Sequence, residues 1–313
     1  MRVVFMGTGE IGVPAFRWLL DAPEYEVVAA VTQPDKPVGR RQELQASAIK
    51  QLAVERGVPV LQPVKMRALE AGAEIVALRA DVIVVMAYGQ ILPGSVLHAP
   101  EIACLNLHAS LLPRWRGAAP IQAAIEAGDA ASGITVMYMA AGLDTGDILL
   151  LKETPISDTD TGGSLHDRLG LLAVEALAEA LPLLAAGMAP RRPQEEALAT
   201  SAPKLSRENG RIDWQATPAQ IDLRIRAMNP WPAAHTFLPV PGGPRQLKVF
   251  AGTPEPGATH PPGEVVRADE RGILVGAQGG AVLLREIQLE GKRRMSADEF
   301  LRGHTVAPGT VLG

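Results

Sequence analysis

The chain has 313 residues, of which 47% are hydrophobic and 20% charged, so it is long enough for two packed globular domains. The formal charge of −4 argues against a strongly basic nucleic-acid-binding protein. The single cysteine, Cys104, excludes an internal disulfide framework and a cysteine-based zinc site. The N-terminal MRVVFMG lacks the features of a signal peptide, and no apolar stretch reaches transmembrane length, so we expect a cytoplasmic protein.

The first predicted strand, at 3–6, leads into the GTGEIG motif at 7–12, whose glycines have the spacing of a dinucleotide-binding loop. An NAD-dependent oxidoreductase is therefore one alternative. Such an enzyme needs an acidic residue at the end of the second strand to bind the ribose. Positions 31–33 are valine, threonine and glutamine instead, and the nearby Asp35 follows a proline inside a loop. The glycine motif alone thus does not establish NAD binding.

Short apolar runs and amphipathic stretches alternate through the first half of the chain. Further strands are predicted at 27–31, 81–89, 103–108 and 134–139. Helices are predicted near 13–21, 46–56, 66–79, 118–127 and 163–187. Four of the strand segments are near-continuous apolar runs, which is typical of a parallel sheet covered on both faces. The alternation predicts an α/β fold with a Rossmann-like, doubly wound, mostly parallel sheet.

The second half of the chain has a different organisation. Residues 190–208 are rich in proline, charge and small side chains and are predicted to be a linker, which gives domains at 1–189 and 209–313. From about residue 234, short strands separated by Gly and Pro predict a small, OB-like β-barrel. The first 189 residues carry 14 Lys and Arg against 21 Asp and Glu, and the remainder 16 against 13. This asymmetry is either chance variation or the sign of a polyanionic partner of the second half.

Polar side chains cluster where two predicted strands end. Asn106 and His108 are two residues apart, so both point to one face at the carboxyl end of a strand, where open α/β sheets bind ligands. The following loop, SLLPRWRG at 110–117, combines a proline, two arginines and a tryptophan, as expected for the wall of a site. In GLDTGD, Asp144 lies between glycines, and Asp147 is an alternative candidate.

These motifs carry a resemblance to a known family. NLHASLLPRWRGAAPI at 106–121, followed by GLDTGD at 142–147, is similar to the folate-dependent formyltransferases. Other segments resemble the branch of that family that acts on tRNA, and the similarity extends over essentially the whole chain. These segments are TQPDKPVGR (32–40), VVMAYGQILP (84–93), PKLS (203–206), RIDW (211–214) and IRAMNPWP (225–232).

The resemblance implies a reaction and a catalytic set. A formyl group would move from 10-formyltetrahydrofolate to the amino group of methionyl-initiator tRNA through a tetrahedral intermediate. Asn106 would stabilise the oxyanion, and His108 would do so when protonated and would pass a proton to the departing folate nitrogen. Asp144 would orient His108 and assist removal of the amine proton.

The resemblance also implies binding residues, with folate as co-substrate and neither a metal nor NAD. Folate would contact two segments that follow strands, largely through main-chain groups: Tyr88, Gln90 and Leu92, and the run Ser110, Leu111, Leu112 and Pro113. The tRNA would contact Lys36, Arg40, Arg41, Lys204, Lys292, Arg293 and Arg294. We expect no membrane association and a monomer.

Two alternatives to a tRNA-formylating enzyme remain open. The first is a formyltransferase acting on a sugar nucleotide or a purine precursor, against which the linker and the long basic loop at 33–42 argue. The second is a non-catalytic tRNA-binding module, against which the intact catalytic set argues. The family usually has G-T-P where this chain has GTG, so Gly9 departs from its pattern. We interpret GTGEIG as the first strand-to-helix turn of the sheet, at the rim of the cleft.

Overall fold

The computed structural model describes residues 1–38 and 42–313, and the chain divides into two compact units. The first unit consists of residues 1–120, 131–155 and 166–202, and the second of residues 121–130, 156–165 and 203–313. In the described parts of the chain, no helix is both long and apolar enough to cross a membrane.

The first unit is built around a seven-stranded sheet, with two short strand pairs beside it. Its strands are β1 (Arg2–Gly7), β2 (Glu26–Val31), β3 (Lys36–Val38), β4 (Glu43–Gln45), β5 (Val60–Leu61), β6 (Val82–Met86), β7 (Ala103–His108), β8 (Arg116–Gly117), β9 (Ala131–Tyr138), β10 (Ile148–Pro155) and β11 (Ser201–Ala202). The large sheet has the order β10-β9-β7-β6-β1-β2-β5, and β3 pairs with β4 and β8 with β11. The predicted Rossmann-like, mostly parallel sheet is confirmed, since β5, β2, β1, β6 and β7 pair in parallel.

The apolar composition of the central strands explains their position. Every residue of β6 is buried, and in β1 only the first residue is partly exposed. Such strands are stable only where helices cover both faces of the sheet. The strand predicted at 134–139 is present as β9 but pairs antiparallel with β7. The antiparallel edge strand β10 was not predicted, because its exposed positions include both the apolar Leu151 and the charged Glu153, so its sequence lacks a clear alternation.

The predicted helices are present within a few residues of their expected bounds, together with one short additional helix. They are α1 (Val13–Asp21), α2 (Ala48–Glu55), α3 (Leu69–Ala77), the additional α4 (Gly94–Leu97), α5 (Pro120–Glu126) and α6 (Gly162–Ala185). Pro14 lies in the first turn of α1, where the missing N–H is not needed by the helix. Pro182 lies in the last turn of α6, and the helix continues past it to Ala185.

The largest segment of the second unit, residues 203–313, contains an antiparallel sheet, as the short strands predict, and two α-helices. Its elements are α7 (Pro218–Met228), β12 (Ala234–Leu238), β13 (Arg245–Pro256), β14 (Val265–Asp269), β15 (Gly272–Ala277), β16 (Gly280–Leu289), β17 (Met295–Ser296) and α8 (Ala297–Gly303). The strand order is β12-β13-β16-β15-β14, with β17 pairing β16. The Thr217 side chain accepts a hydrogen bond from the Gln220 amide and thereby caps the start of α7.

The last residues of the chain join the two edge strands of this sheet. Phe237 of β12 exchanges two main-chain hydrogen bonds with Gly313, at 2.9 and 3.1 Å. On the other side, the amide of Val265 in β14 donates to the carbonyl of Thr310 at 2.8 Å. Residues 310–313 therefore close the sheet into a ring of main-chain hydrogen bonds.

The bounds of the two compact units differ from the domain bounds expected from the sequence. Residues 190–202, assigned above to a linker, pack in the first unit, where β11 pairs with β8. Two short segments, 121–130 and 156–165, belong to the second unit although they lie far from it in sequence. Composition indicated a linker because it registers proline and polar residues, not the tertiary hydrogen bonds that those polar residues form.

Candidate active site

Asn106 and His108 lie at the carboxyl end of β7, on one face of the strand. Leu107, between them, is buried on the opposite face, and Cys104 lies further back in an apolar cluster. His108 is only 6% exposed, whereas Asn106 is half-buried. The polar pair therefore occupies the point at which the strand leaves the core.

Asp144 lies on the loop between β9 and β10, with its carboxylate directed at this pair. Its Oδ1 accepts a hydrogen bond from Asn106 Nδ2 at 3.3 Å, and its Oδ2 accepts one from the Gly117 amide at 2.9 Å. The same Oδ2 lies 3.7 Å from His108 Nδ1, which makes an ion pair when the imidazole is charged. The alternative candidate, Asp147, faces Arg191 at 3.7 Å instead. The structure thus brings together the three side chains proposed as the catalytic set.

The hydrogen bonds of His108 define which of its nitrogens can exchange a proton. Nε2 lies 2.9 Å from the main-chain carbonyl of Trp115. A carbonyl only accepts hydrogen bonds, so Nε2 carries a hydrogen and donates it. Nδ1, on the side of Asp144, is then the nitrogen that gains or loses a proton. Trp115 has a φ of 65°, and this left-handed conformation directs its carbonyl at the histidine.

The predicted folate-binding run at 110–113 forms a tightly bonded turn after β7. Ser110 Oγ donates to the carbonyl of Arg114 at 2.6 Å. The buried hydroxyl of Thr135 donates to the Ser110 carbonyl and accepts from the Leu112 amide, at 2.6 and 3.0 Å. The Leu112 side chain is buried, whereas Leu111 and Pro113 are partly exposed. The exposed surface of this turn therefore comes from Leu111 and Pro113.

The second predicted folate segment directs its named side chains away from solvent. Tyr88 and Leu92 belong to the apolar core, and burial raises the pKa of the Tyr88 phenol to about 12. The Gln90 side chain connects to a neighbouring loop, accepting from the Met66 amide at 2.7 Å and donating to the Pro63 carbonyl at 3.0 Å. Only main-chain atoms and the exposed residues at positions 87, 89 and 91 are left to face a ligand.

The main-chain amides of the opening glycine motif are occupied within the protein. The amides of Thr8 and Gly9 both donate to the Ala87 carbonyl at 3.2 Å. In a dinucleotide-binding loop, amides at this turn would bind a pyrophosphate. The Asp35 carboxylate, which could have served a ribose, binds Lys50 Nζ at 2.6 Å. The geometry therefore gives no support to the NAD alternative.

The predicted tRNA-binding residues differ in their exposure and in whether they form ion pairs with carboxylates. Lys36 is exposed in the first unit, as are Lys204 and Lys292 in the second, whereas Arg40 and Arg41 lie outside the described residues. Arg293 forms an ion pair with Glu299. Arg294 pairs with both carboxylate oxygens of Glu286, at 2.7 and 2.5 Å, and lies over the Phe250 ring. The two arginines are thus charge-compensated, which the sequence pattern did not indicate.

Sequence reasoning missed several groups that hold the site. They are the Gly117 amide, the Trp115 carbonyl, the Thr135 hydroxyl, and the side chains of Gln194 and Thr200. The first two are main-chain groups, which no residue type reveals. The last two lie in the segment whose composition indicated a linker. Within the described residues, no group of three or more His, Cys, Asp or Glu side chains is arranged to hold a metal ion.

Comparisons with known proteins agree with this combination of fold and site. A sequence model of the formyl transferases matches residues 1–181, and a model of the formyl transferase C-terminal domain matches residues 204–305. The fold and these two matches define a two-domain, formyl-transferring enzyme.

Curated relatives refine that class over the full length of the chain. The methionyl-tRNA formyltransferase of Geotalea uraniireducens is 47% identical, with 100% of this chain and 98% of the relative covered. That of Stutzerimonas stutzeri is 49% identical, with the same coverage. The chain therefore belongs to the methionyl-tRNA formyltransferases within the formyl transferase family.

Solved structures with lower identity share the fold. HypX from Aquifex aeolicus, solved in complex with tetrahydrofolic acid, has a TM-score of 0.62 at 20% identity, covering 99% of this chain and 50% of that one. An N-formyltransferase from Helicobacter canadensis, in complex with folinic acid and dTDP-3-aminofucose, has a TM-score of 0.65 at 16% identity, covering 90% and 98%. At these identities the likeness concerns the fold alone.

Proposed function

We propose that this chain transfers the formyl group of 10-formyltetrahydrofolate to the α-amino group of methionyl-initiator tRNA, in support of translation initiation. The 47–49% identity to full-length relatives with that name supports the substrate. The structural observation that carries the proposal is the contact set of Asp144. Its side chain is 12% exposed, is held by Asn106 and the Gly117 amide, and faces His108.

The amino group attacks the formyl carbon directly, so the protein must stabilise an oxyanion and carry one proton from the attacking amine to the departing folate nitrogen. Asn106 suits the first task. Its Nδ2 carries two hydrogens, and the hydrogen bond to Asp144 uses one of them. The second hydrogen is available to the developing oxyanion, and losing such a donor typically lowers the rate by ~10²–10³.

Asp144 and His108 divide the proton transfers. The Asp144 carboxylate accepts the proton of the attacking amine, because it is the anionic group of the set. His108 keeps its Nε2 hydrogen on the Trp115 carbonyl and exchanges the other proton at Nδ1, beside that carboxylate. The proton then reaches the departing folate nitrogen from this pair.

Folate is proposed to bind along two segments that follow β6 and β7. The residues are those named above: Tyr88, Gln90, Leu92, and Ser110, Leu111, Leu112 and Pro113. Because the Tyr88, Gln90 and Leu92 side chains are directed into the protein, they shape the segment at 87–92, whose main chain would contact the ligand. Leu111 and Pro113 would add apolar contacts, since both are partly exposed.

The second unit is proposed to contribute to tRNA binding together with the β3–β4 hairpin. Lys36, Lys204 and Lys292 are exposed and suited to phosphate contacts; Arg40 and Arg41, which lie outside the described residues, follow Lys36 closely in the sequence and are proposed as further contacts. Arg293 and Arg294 would reach a phosphate only by exchanging their carboxylate partners, so their contribution is proposed to be smaller.

The direct test is formylation of charged initiator tRNA by the purified full chain with 10-formyltetrahydrofolate. Uncharged tRNA, free methionine and a dTDP-amino sugar serve as alternative acceptors in parallel reactions. We expect formylmethionyl-tRNA as the product and no reaction with the other three. Formylation of the amino sugar but not of the charged tRNA would overturn the proposal in favour of a sugar-formylating enzyme.

A further inference from the structure

Residues 190–202, here called the strap, cross the candidate active site and are fixed at both ends. At one end, Arg192 exchanges two main-chain hydrogen bonds with Ile148 of β10, at 2.8 and 3.0 Å. At the other end, Thr200 Oγ1 accepts from the Trp115 amide at 2.9 Å, next to the carbonyl that binds His108. The strap therefore connects the loop of Asp144 to the loop that follows β7.

Gln194, in the middle of the strap, uses its whole side-chain amide to join these two loops. Its Nε2 donates to the carbonyls of Asp144 and Gly146, both at 2.8 Å. Its Oε1 accepts from Arg116 Nε at 3.1 Å and Nη2 at 2.9 Å. Four hydrogen bonds from one side chain thus span from the Asp144 loop to the residue that precedes Gly117.

These four hydrogen bonds fix the main chain that determines the orientation of the Asp144 carboxylate. Asp144 has a φ of 52°, in the left-handed region that residues with side chains rarely adopt. The loop keeps this conformation because the carbonyls on both sides of residue 145 are held by one donor group. At the same time, Arg116 is held next to Gly117, whose amide binds the Asp144 carboxylate.

We propose that Gln194 is a positioning residue for the transfer reaction, acting through Asp144. Its four hydrogen bonds go to two main-chain carbonyls and to Arg116, and not to the three proposed catalytic side chains. It sets the distance between the carboxylate and its partners by fixing the main chain of both loops. This inference rests on the proposed function, because it assigns Asp144 a part in proton transfer. A displacement of about 1 Å at a reacting group lowers rates by up to ~10²-fold.

Two substitutions test whether Gln194 acts by donating hydrogen bonds to the Asp144 loop or only by binding Arg116. Gln194→Ala removes all four hydrogen bonds. Gln194→Glu keeps the size and the bond to Arg116 but replaces the donor with an oxygen that repels the two carbonyls. Glu195→Ala is the matched control, because Glu195 is the exposed neighbour in the strap. With folded protein, we expect kcat to fall roughly 10- to 100-fold in both Gln194 variants, with KM for methionyl-tRNA unchanged.

The results that would overturn the inference are specific. Wild-type kcat in Gln194→Glu would mean that donation to the Asp144 loop is not needed. An equal loss of kcat in Glu195→Ala would mean that any change in the strap has this effect. A rise in KM for methionyl-tRNA with unchanged kcat would assign Gln194 to substrate binding instead of positioning.

A second readout is independent of substrate. In 15N-labelled protein, the amide resonance of Gly117 reports the hydrogen bond to Asp144. We expect this resonance to shift in both Gln194 variants and to stay in place in Glu195→Ala; an unmoved resonance in the Gln194 variants would refute the positioning role. If the wild-type chain fails to formylate methionyl-tRNA, the proposed function fails, while this measurement still decides the geometric role of Gln194.

Discussion

Replacing Asp144 with asparagine changes the charge of the site while keeping the shape of the side chain. Both carboxylate oxygens accept hydrogen bonds, one from Asn106 Nδ2 at 3.3 Å and the other from the Gly117 amide at 2.9 Å. An asparagine has one acceptor and one donor at these positions. Its NH₂ group must therefore face another N–H group, and the negative charge beside His108 is lost.

The expected loss of activity follows from these contacts. One hydrogen bond to a charged acceptor contributes ~1.5–3 kcal/mol. General-base catalysis contributes typically 10²–10⁴-fold, and Asp144 is the proposed proton acceptor. We therefore expect kcat/KM of Asp144→Asn to fall about 10³-fold, which corresponds to ~4 kcal/mol of transition-state stabilisation. KM for methionyl-tRNA is expected to stay within about 3-fold, since Asp144 is not assigned to tRNA binding.

The assay is steady-state formylation of initiator methionyl-tRNA, with thermal unfolding recorded for each variant. Asp147→Asn is the matched control, because Asp147 lies on the same loop and pairs with the exposed Arg191. It is expected to keep nearly full activity. A folded Asp144→Asn enzyme that retains more than about a tenth of wild-type kcat would refute the proton-acceptor role. Equal losses in the two variants would refute the distinction between the two carboxylates.

Four further outcomes are expected. Thr135→Val should lower the free energy of unfolding by ~1–3 kcal/mol in urea titrations, because two buried main-chain groups of the loop after β7 lose their partner; an unchanged midpoint would contradict this. Gly9→Ala should leave kcat of the folded enzyme nearly unchanged, since Gly9 has a φ of −70° and its amide keeps the hydrogen bond to the Ala87 carbonyl, while the added Cβ would lie 3.0 Å from the Ala87 Cβ and lower the stability; a large loss of kcat in folded protein would assign this turn a part in the reaction. The hydrogen bond from Lys50 lowers the pKa of the Asp35 carboxyl below 3.8, so its stabilisation exists above that pH and disappears as pH falls through the lowered value; Asp35→Asn should destabilise the protein at neutral pH, and the difference should vanish in acid. Lys292→Glu should raise KM for tRNA and reduce the salt dependence of kcat/KM, while equal salt slopes for variant and wild type would remove Lys292 from the tRNA contacts.

The sequence predicted those parts of the fold and site that depend on local pattern. Alternation along one strand was sufficient to place Asn106 and His108 together on one face, at its carboxyl end. Continuous apolar runs were sufficient to predict the parallel core of the sheet, and short strands separated by Gly and Pro to predict the antiparallel second unit. Each of these features is encoded within a few consecutive residues.

Features that depend on tertiary contacts were not predictable in this way. Gln194 lies 50 residues from the carbonyl of Asp144 that it binds, and nothing in its neighbourhood differs from a solvated linker. The direction of β9 is set by its partner strand, which its apolar composition does not specify. The charge compensation of Arg294 by Glu286 requires β16 and the turn after it to be in register. Gln194 and β9 have partners that are distant in sequence. Glu286 and Arg294 are only 8 residues apart but meet because β16 and β17 pair antiparallel, which their spacing alone does not indicate.

The closure of the second unit by residues 310–313 has a practical consequence for handling the protein. Removal of these residues would leave β12 and β14 with unpaired main-chain groups, and exposed strand edges of this kind promote association between chains. A purification tag joined directly to Gly313 would begin at a residue whose amide and carbonyl both bind Phe237. An affinity tag at the other terminus, or one separated from Gly313 by a flexible spacer, leaves the main-chain hydrogen bonds between Gly313 and Phe237 intact.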